Sequence, residues 1–523
     1  MKFLNKAIKY VLGLAVLILA GACSGPMDEI IGMNMDRNLS PTDVSLLLID
    51  RTNVQLSWTV TEGIDSYTIE VYADDNLEFD ESHLESVIEG ILPSQVPYLI
   101  ENLQGETQYS FRVKAVTDDD PTKDSKWSTA KTTTGTEQIF KAVDPAEIEA
   151  RSVTLHWTPG QYANQIVLTP GDIVYNVTAE DIENGSATIS GLTPETAYTA
   201  TLKNGEKTRG VVSFTTGVEL AEGDILVEEG DDLAAKIAAA PEGSRLILKP
   251  GTYTFPGGES AKVGDVTIDK NLAIKGLRPN EMPIINGRFK VEAPFSLDQV
   301  VVDGTDTSGD QAFNFTKTGT ISSFSITNSE IRNFKKGFLY INVAVVVNTI
   351  TIDRCLIHDI VCDGGDMFDS RAGGWNDFNL TNSTVYNSCA ARDFVRMDNA
   401  SANVSAAARI KIDHCTLDGI SNNAGKRILY VRFTGNSTTF TNNIVSNTVG
   451  NFSNQASTNV PTFSGNYYYK AAGLNVSGEN ANAKFVDADG KALDTAPYSG
   501  SGDFTISDPV LKATAPGDPR WIE

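Results

Sequence analysis

"LTNSTVYNS" at residues 380–388 sets an apolar residue, then Asn two positions on, Val five on and a second Asn seven on. The cadence returns in "ITNSEIRNF" (326–334), "IDRCLIHDI" (352–360), "IDHCTLDGI" (412–420) and "FTNNIVSNT" (440–448), and more loosely in "FSGNYYYKA" (463–471). The starts lie 26, 28, 32, 28 and 23 residues apart. A repeat of wandering length belongs to a solenoid whose coils share a stacked core and differ in their loops. Counted from each start, the apolar offsets point inward. Asn333, Asp359 and Asn387 at offset seven line a turn, where short polar side chains satisfy a bending backbone. Thr384, at offset four, is expected on the exposed side. Earlier coils fit at Ile247, Ile274 and Leu297, which gives about nine in all.

Cys355 and Cys415 share offset three with Ser329 and Ser383, the pattern of an inner ladder of small side chains. Two coils apart they stand ~9–10 Å from one another, too far for a disulfide. Cys362 and Cys389 fall on neighbouring coils and are close enough to pair, although free thiols are the favoured reading. The 523 residues are 41% apolar and 21% charged, a globular composition spread over several domains. The formal charge of −25 excludes general nucleic-acid affinity, which needs a basic field.

The first 23 residues, "MKFLNKAIKYVLGLAVLILAGAC", carry Lys2, Lys6 and Lys9 ahead of an apolar run that ends in small residues and Cys23. That is an export signal over 1–22. It resembles a bacterial lipoprotein signal, which implies lipidation of Cys23 and a polar tether over 23–39. Ala20 stands where such signals usually carry Leu, with Leu19 one place earlier; an ordinary secretory peptide or an uncleaved anchor helix are the alternatives. Loss of the three Lys takes the mature charge from −25 to −28.

From 40 to 218 the strands are short and Thr-rich, as in a β-sandwich. "NVQLSW" ends at Trp58, and "LQGETQY" reaches Tyr109 just ahead of the next strand. The order repeats in "VTLHW" to Trp157 and "LTPETAY" to Tyr198. A Trp strand followed by L-x-x-x-T-x-Y resembles the fibronectin type III family twice over, at 40–136 and 137–218, and implies spacers more than chemistry.

Residues 219–523 begin with a helical pattern at Leu233, Ile237 and Ala240, a lid for the first coil. The following "LILKPGTY" resembles the entry of the pectate-lyase-like right-handed parallel β-helix superfamily. A leucine-rich repeat overlaps in period but needs Leu at fixed spacing, and here Ile, Val, Phe, Ser and Cys fill the slots. The C-terminal "SGDFTISDPVLKATAPGDPRWIE" resembles the closing segment of exported β-helix lipoproteins from bacterial polysaccharide-utilisation systems. The fold class is all-β: two sandwiches, then the β-helix.

Each coil carries a second strand after the repeated one: "GFLYIN", "DMFDSR", "DFVRMD" and "RILYVR". One parity is apolar, as at Leu339, Phe368, Val395 and Leu429, so the other faces out. It presents Tyr340, Asn342, Asp369, Arg371, Arg396, Asp398, Tyr430 and Arg432, preceded by Lys336, Arg392 and Lys426. Phe338, Met367, Phe394 and Ile428 turn inward at a corner. Six basic residues thus meet two carboxylates and two aromatic rings on one strip of an acidic protein. Guanidinium groups match carboxylates in two-pronged fashion, and Tyr faces suit sugar rings. The competing account is a solvated sheet face whose charges pair across strands, as Asp369 would with Arg396.

The expected function is a lipid-anchored protein of the outer membrane, facing the cell surface. It would bind an acidic, pectin-like polysaccharide for a sugar-uptake complex, with no cofactor. The alternative is a polysaccharide lyase on the same face. β-Elimination needs a base, with candidates Arg371, Arg396 and Arg432, and cations for the developing enolate-like charge. Lyases of this superfamily often use calcium, for which Asp366, Asp369, Asp393 and Asp398 are the candidates. The RxPxxR stretch of the familiar pectate lyases is missing, so no catalytic residue carries over. A third possibility is an adhesin or structural spacer. His358 and His414 sit at different offsets and form no pair.

Overall fold

The computed structural model describes residues 37–117, 120–258, 261–474 and 491–522. The signal over 1–22 and the lipidation candidate Cys23 lie outside the described residues. The chain divides into two compact units, the second gathering 143–155, 187–198 and 213–523.

At the N-terminus a three-stranded antiparallel sheet orders Thr42–Ile49, Asn53–Thr59 and Tyr98–Ile100. A four-stranded sheet orders Leu84–Ile91, Ser66–Ala73, Gln108–Val116 and Ser128–Thr133. Alternation along these strands sends Trp58, Tyr67, Tyr109 and Phe111 into one core. The Tyr109 hydroxyl accepts from the Gln104 amide at 3.0 Å, and Tyr198 repeats the device on Thr193 at 3.0 Å. Such a corner ties a strand start to the loop before it. Trp157 is buried as well. Over 137–218 the sheets are Ile173–Asn176, Gln165–Thr169, Ala197–Asn204 and Lys207–Thr215 in that order, and Ser186–Ser190 beside Ser152–His156.

The expected lid helix spans Leu233–Ala239. Asp232 caps it by accepting from the Ala235 amide, and Leu233, Ile237 and Ala240 are buried in the solenoid core. Beyond it the chain winds a parallel β-solenoid of about eight turns, one fewer than expected. Among the described residues its coils build three sheets. The first holds ten strands from Ile225–Val227 to Thr462–Ser464, the second ten from Thr252–Thr254 to Lys491–Ala492, and the third seven from Asp265–Ile268 to Leu429–Val431.

The opening cadence now has a physical account. Offset zero closes a first-sheet strand on an inward column that runs Leu246, Ile274, Leu297, Ile326, Ile352, Leu380, Ile412 and Phe440. Each such side chain, fully buried, contributes roughly 1.5–3 kcal/mol. Leu246, not Ile247, holds the register in the early coil. The run Leu246, Ile247, Leu248 is apolar at both parities and wholly buried, so alternation could not choose between them. Offset two is left-handed in every copy from Asn328 to Asn442, with φ of 47–54°. It bends the chain sharply into the second sheet, and Asn tolerates that conformation well. Offset seven is left-handed again at Asn333, Asp359, Asn387 and Asn447, where the chain leaves that sheet.

Offset three is the inner ladder. The Ser329 hydroxyl accepts from the Val300 amide at 3.2 Å, Ser383 from Cys355 at 3.0 Å, and Asn443 from Cys415 at 2.9 Å. All four Cys of the solenoid are buried free thiols. Between the sheets runs a file of rings, Phe313, Phe338, Phe368 and Phe394, with centroids 5.2–5.3 Å apart.

After the strand Lys491–Ala492 the chain folds back across the outer face of the second sheet. Tyr498, Phe504, Ile506 and Leu511 bury Ile444 and Tyr467. Thr384 is buried here rather than exposed. Its hydroxyl donates to Asp518 at 2.8 Å and accepts from the Trp521 indole at 2.7 Å. Strand parity had aimed Thr384 outward correctly; it is the returning segment that covers it.

Candidate functional site

On the third sheet, register sets Tyr340, Asp369, Arg396 and Tyr430 in one outward column, flanked by the inward columns Leu339–Phe368–Val395–Leu429 and Ile341–Ser370–Met397–Val431. The column extends upstream through Lys290 and Asn314. Phe338, Met367, Phe394 and Ile428 are wholly buried at the corner before these strands.

The charges in this face are bonded to one another. Arg371 grips Asp369 through Nε at 3.1 Å and Nη2 at 2.8 Å. Arg396 grips Asp398 at 3.1 and 2.9 Å and reaches Asp366 at 3.0 Å, with Asp369 at 3.8 Å. Arg432 meets Asp398 only at 3.5 Å. Lys336 donates to Asp310 at 2.7 Å, a carboxylate shared with Arg288 at 3.1 Å. Arg371 lies over the Tyr340 ring at 5.6 Å, and Tyr430 is met by Arg396 at 5.3 Å and Arg432 at 5.7 Å. Asn342 is exposed beyond the strand, while Arg392 and Lys426 are half-buried in the approaches.

Arg427 escaped the sequence reading. It holds Asp393 at 2.8 and 2.7 Å, and its guanidinium carbon lies 3.8 Å from the Tyr430 ring centroid. The signal was available: Asp366, Asp393 and Arg427 each stand two residues before an inward strand residue. In that column the Asp366 carboxylate accepts from the Asp393 amide at 3.1 Å, and Asp393 from the Arg427 amide at 2.9 Å.

The layers differ in exposure. The Asp369, Asp366 and Asp398 side chains are 0, 5 and 18% exposed, against 19, 34 and 38% for Arg396, Arg371 and Arg432. Carboxylates lie beneath, and guanidinium groups and Tyr faces lie above. Burial pushes the Asp369 carboxyl up, against the pull of Arg371. Burial opposes the charge on Arg396, yet its hydrogen bonds to Asp398 and Asp366 outweigh it and hold the proton more firmly than usual. Among the described residues no group of three or more His, Cys, Asp or Glu side chains is arranged to hold a metal ion. Asp366, Asp369, Asp393 and Asp398 instead spend their oxygens on guanidinium groups and backbone amides.

His358 lies on the second sheet, between Asp359 at 2.6 Å and Glu330 at 3.1 Å, stacked on Tyr386. His414 occupies a left-handed corner beside Asp413 at 3.1 Å. The two do not meet. A cavity of about 700 Å³ opens on the second sheet near Leu356, and another of about 770 Å³ beside Asp359 and Tyr386.

Three stretches match known families. Residues 39–131 match the fibronectin type III domain, 251–388 a domain of unknown function, DUF4957, and 410–521 a second, DUF5123. Among solved structures, a two fibronectin type III domain segment from chicken tenascin is 18% identical, covering 33% of this chain and 97% of that one with a TM-score of 0.24. The fn3 domain of human contactin 1 is also 18% identical, covering 20% and 91% with a TM-score of 0.16. No curated protein matches the chain. The chain therefore carries an N-terminal fibronectin type III domain and a C-terminal parallel β-solenoid.

Proposed function

We propose that the protein is exported, anchored to the outer membrane through a lipid on Cys23, and binds an acidic, uronate-containing polysaccharide across the outer face of the third sheet, within a glycan-utilisation system. The layering of that face carries the reading. Its cations and aromatic faces stand outermost, fixed by carboxylates below, in rows ~4.8 Å apart along the solenoid. A polymer with repeated carboxylates meets repeated guanidinium edges there, and Tyr340 and Tyr430 offer apolar surface to sugar rings. The fibronectin type III domain serves as a spacer between the anchor and the solenoid.

A lyase would use the same face, and one observation favours binding over β-elimination. The base must be able to give up its own proton first, and the carboxylates around Arg396 hold that proton in place. Polygalacturonate should bind to the full chain and neutral glucans should not, with affinity falling as salt rises. Arg432→Ala should weaken binding by about 1–3 kcal/mol if it removes a charge-assisted contact. Arg432 suits this test because its own ion pair is long and half-exposed. Binding without a rise in ultraviolet absorbance supports the binder. An unsaturated product whose formation a chelator abolishes would establish the lyase, and no binding by the folded protein would leave the spacer. Cys23→Ala should release the protein from membranes or block its processing.

A further inference from the structure

The returning segment does not cover the whole outer face of the second sheet. Upstream of Thr384 the 700 Å³ cavity remains, lined by the loop at Pro279 and Met282, by the strand residues Glu330 and Leu356, and by the turn at 518–520. A volume of this order suits a small ligand, for which sites run from ~300 to 1,000 Å³.

Two features of the lining define the ligand. Pro279, Met282, Leu356 and Pro519 give it apolar surface. Its charged groups are each neutralised by a neighbour: Glu330 by Arg332 at 2.6 Å and His358 at 3.1 Å, Arg354 by Asp353 at 2.7 Å, Arg520 by Asp518 at 2.7 Å. Planar polar groups with compensated charge hydrogen-bond hydroxyls well and give an anion little net attraction. Asp518 is also held from several sides. Its carboxylate accepts from Thr384 at 2.8 Å, and its amide donates to Thr416 at 3.1 Å, so that wall is ordered before any ligand arrives.

We propose that this cavity is a binding site for a neutral sugar unit, separate from the acidic-polymer face and on a different sheet. Apolar surface meets the C–H groups of the ring, while Glu330, Arg354 and Arg520 with the corner amides Asn328 and Asn382 meet its hydroxyls. A uronate gains less here than on the third-sheet face, because both cations of the lining hold a carboxylate at 2.7 Å, whereas Arg432 there meets Asp398 only at 3.5 Å.

Titration of the full chain with galactose, glucose, xylose, arabinose and rhamnose, followed by calorimetry or ligand-observed NMR, tests this, with galacturonate as the charged control. At least one neutral sugar should bind at millimolar concentration, and galacturonate more weakly. Leu356→Trp, which fills the cavity, should weaken that sugar at least tenfold and leave polygalacturonate binding unchanged. Met282→Trp fills the same space from the neighbouring loop and takes its place if Leu356→Trp fails to fold. No binding by any neutral sugar, equal binding of galacturonate, or a sugar indifferent to the filled cavity would overturn the proposal. Polygalacturonate is read separately, so this site and the third-sheet face fail independently.

Discussion

The second and third sheets are built from strands of similar length on one backbone, and their inner sides are interchangeable: fully buried apolar columns one coil apart. Their outer sides differ. The downstream part of the second sheet carries apolar and aromatic residues, Ile444, Tyr467 and Tyr386, under the returning segment, while its upstream part carries the paired Glu330, Arg332 and His358. The third carries Asp, Arg and Tyr that satisfy one another in place. In a solenoid the core fixes where each residue points, and only the outer columns are left to set what each face meets.

The largest expected effect erases the difference altogether. Val395→Asp buries a carboxylate between coils without a partner and should cost more than about 4 kcal/mol, abolishing the cooperative melt of the solenoid. A folded variant with near-normal melting would mean that the inward assignment is wrong. Next comes the salt lattice. Arg396→Met keeps the volume but takes the guanidinium partner from Asp366 and the close one from Asp398, and should cost about 3–5 kcal/mol by denaturant titration. A change below about 1 kcal/mol would show that the pairs do no more than decorate the surface.

On the second sheet, Thr384→Val should cost about 1–3 kcal/mol, because Asp518 loses a donor and the Trp521 indole an acceptor. Faster proteolysis of residues 491–522 should accompany it. An unchanged rate and stability would show that the segment is not held there.

Protonation separates the faces more gently. Burial lowers the pKa of His358, but Glu330 and Asp359 raise it further than burial lowers it; Tyr386 stacks on its ring and Arg332 bonds the same Glu330. The native state thus holds its proton to higher pH than the unfolded chain. That stabilisation is complete below about pH 6.5 and is lost as pH rises through the raised folded value. His358→Gln should flatten this part of the melting curve against pH. A slope of the opposite sign would contradict the assignment. Arg432→Ala comes last, within about 1 kcal/mol in stability, so its effect on polygalacturonate is read almost free of folding.

How much of this was legible in the sequence follows from which contacts are local. Repeat and alternation together fixed the third-sheet columns, because Tyr340, Asp369, Arg396 and Tyr430 each stand at the middle of the second strand of their coil. They failed at Ile247, where three apolar residues in a row leave parity undefined. They aimed Thr384 outward correctly but could not show its burial, which depends on residues more than a hundred positions away. Arg427 was missed for a different reason. Its neighbour Lys426 is equally basic, and only the preceding Asp366 and Asp393 mark the slot. The pairing of Asp369 with Arg396 was visible as a possibility, but the tighter partners Arg371 and Asp398 lie two residues along the same chain.

The two ladders of the solenoid run in opposite senses. At offset three a later coil supplies the acceptor for an earlier amide, Ser383 for Cys355 and Asn443 for Cys415. Ahead of the third sheet an earlier coil supplies it for a later one, Asp366 for Asp393 and Asp393 for Arg427. A chain that emerges N-terminus first therefore has a growth front with a polarity. The coil that brings Asp393 or Arg427 finds its carboxylate acceptor waiting, while the offset-three amide of Cys355 or Cys415 stays unanswered until the next coil arrives. A length that ends at such a coil carries an unfinished bond beside an open row of strand edges. A chain stopped there would keep both, and so would expose a template for another chain.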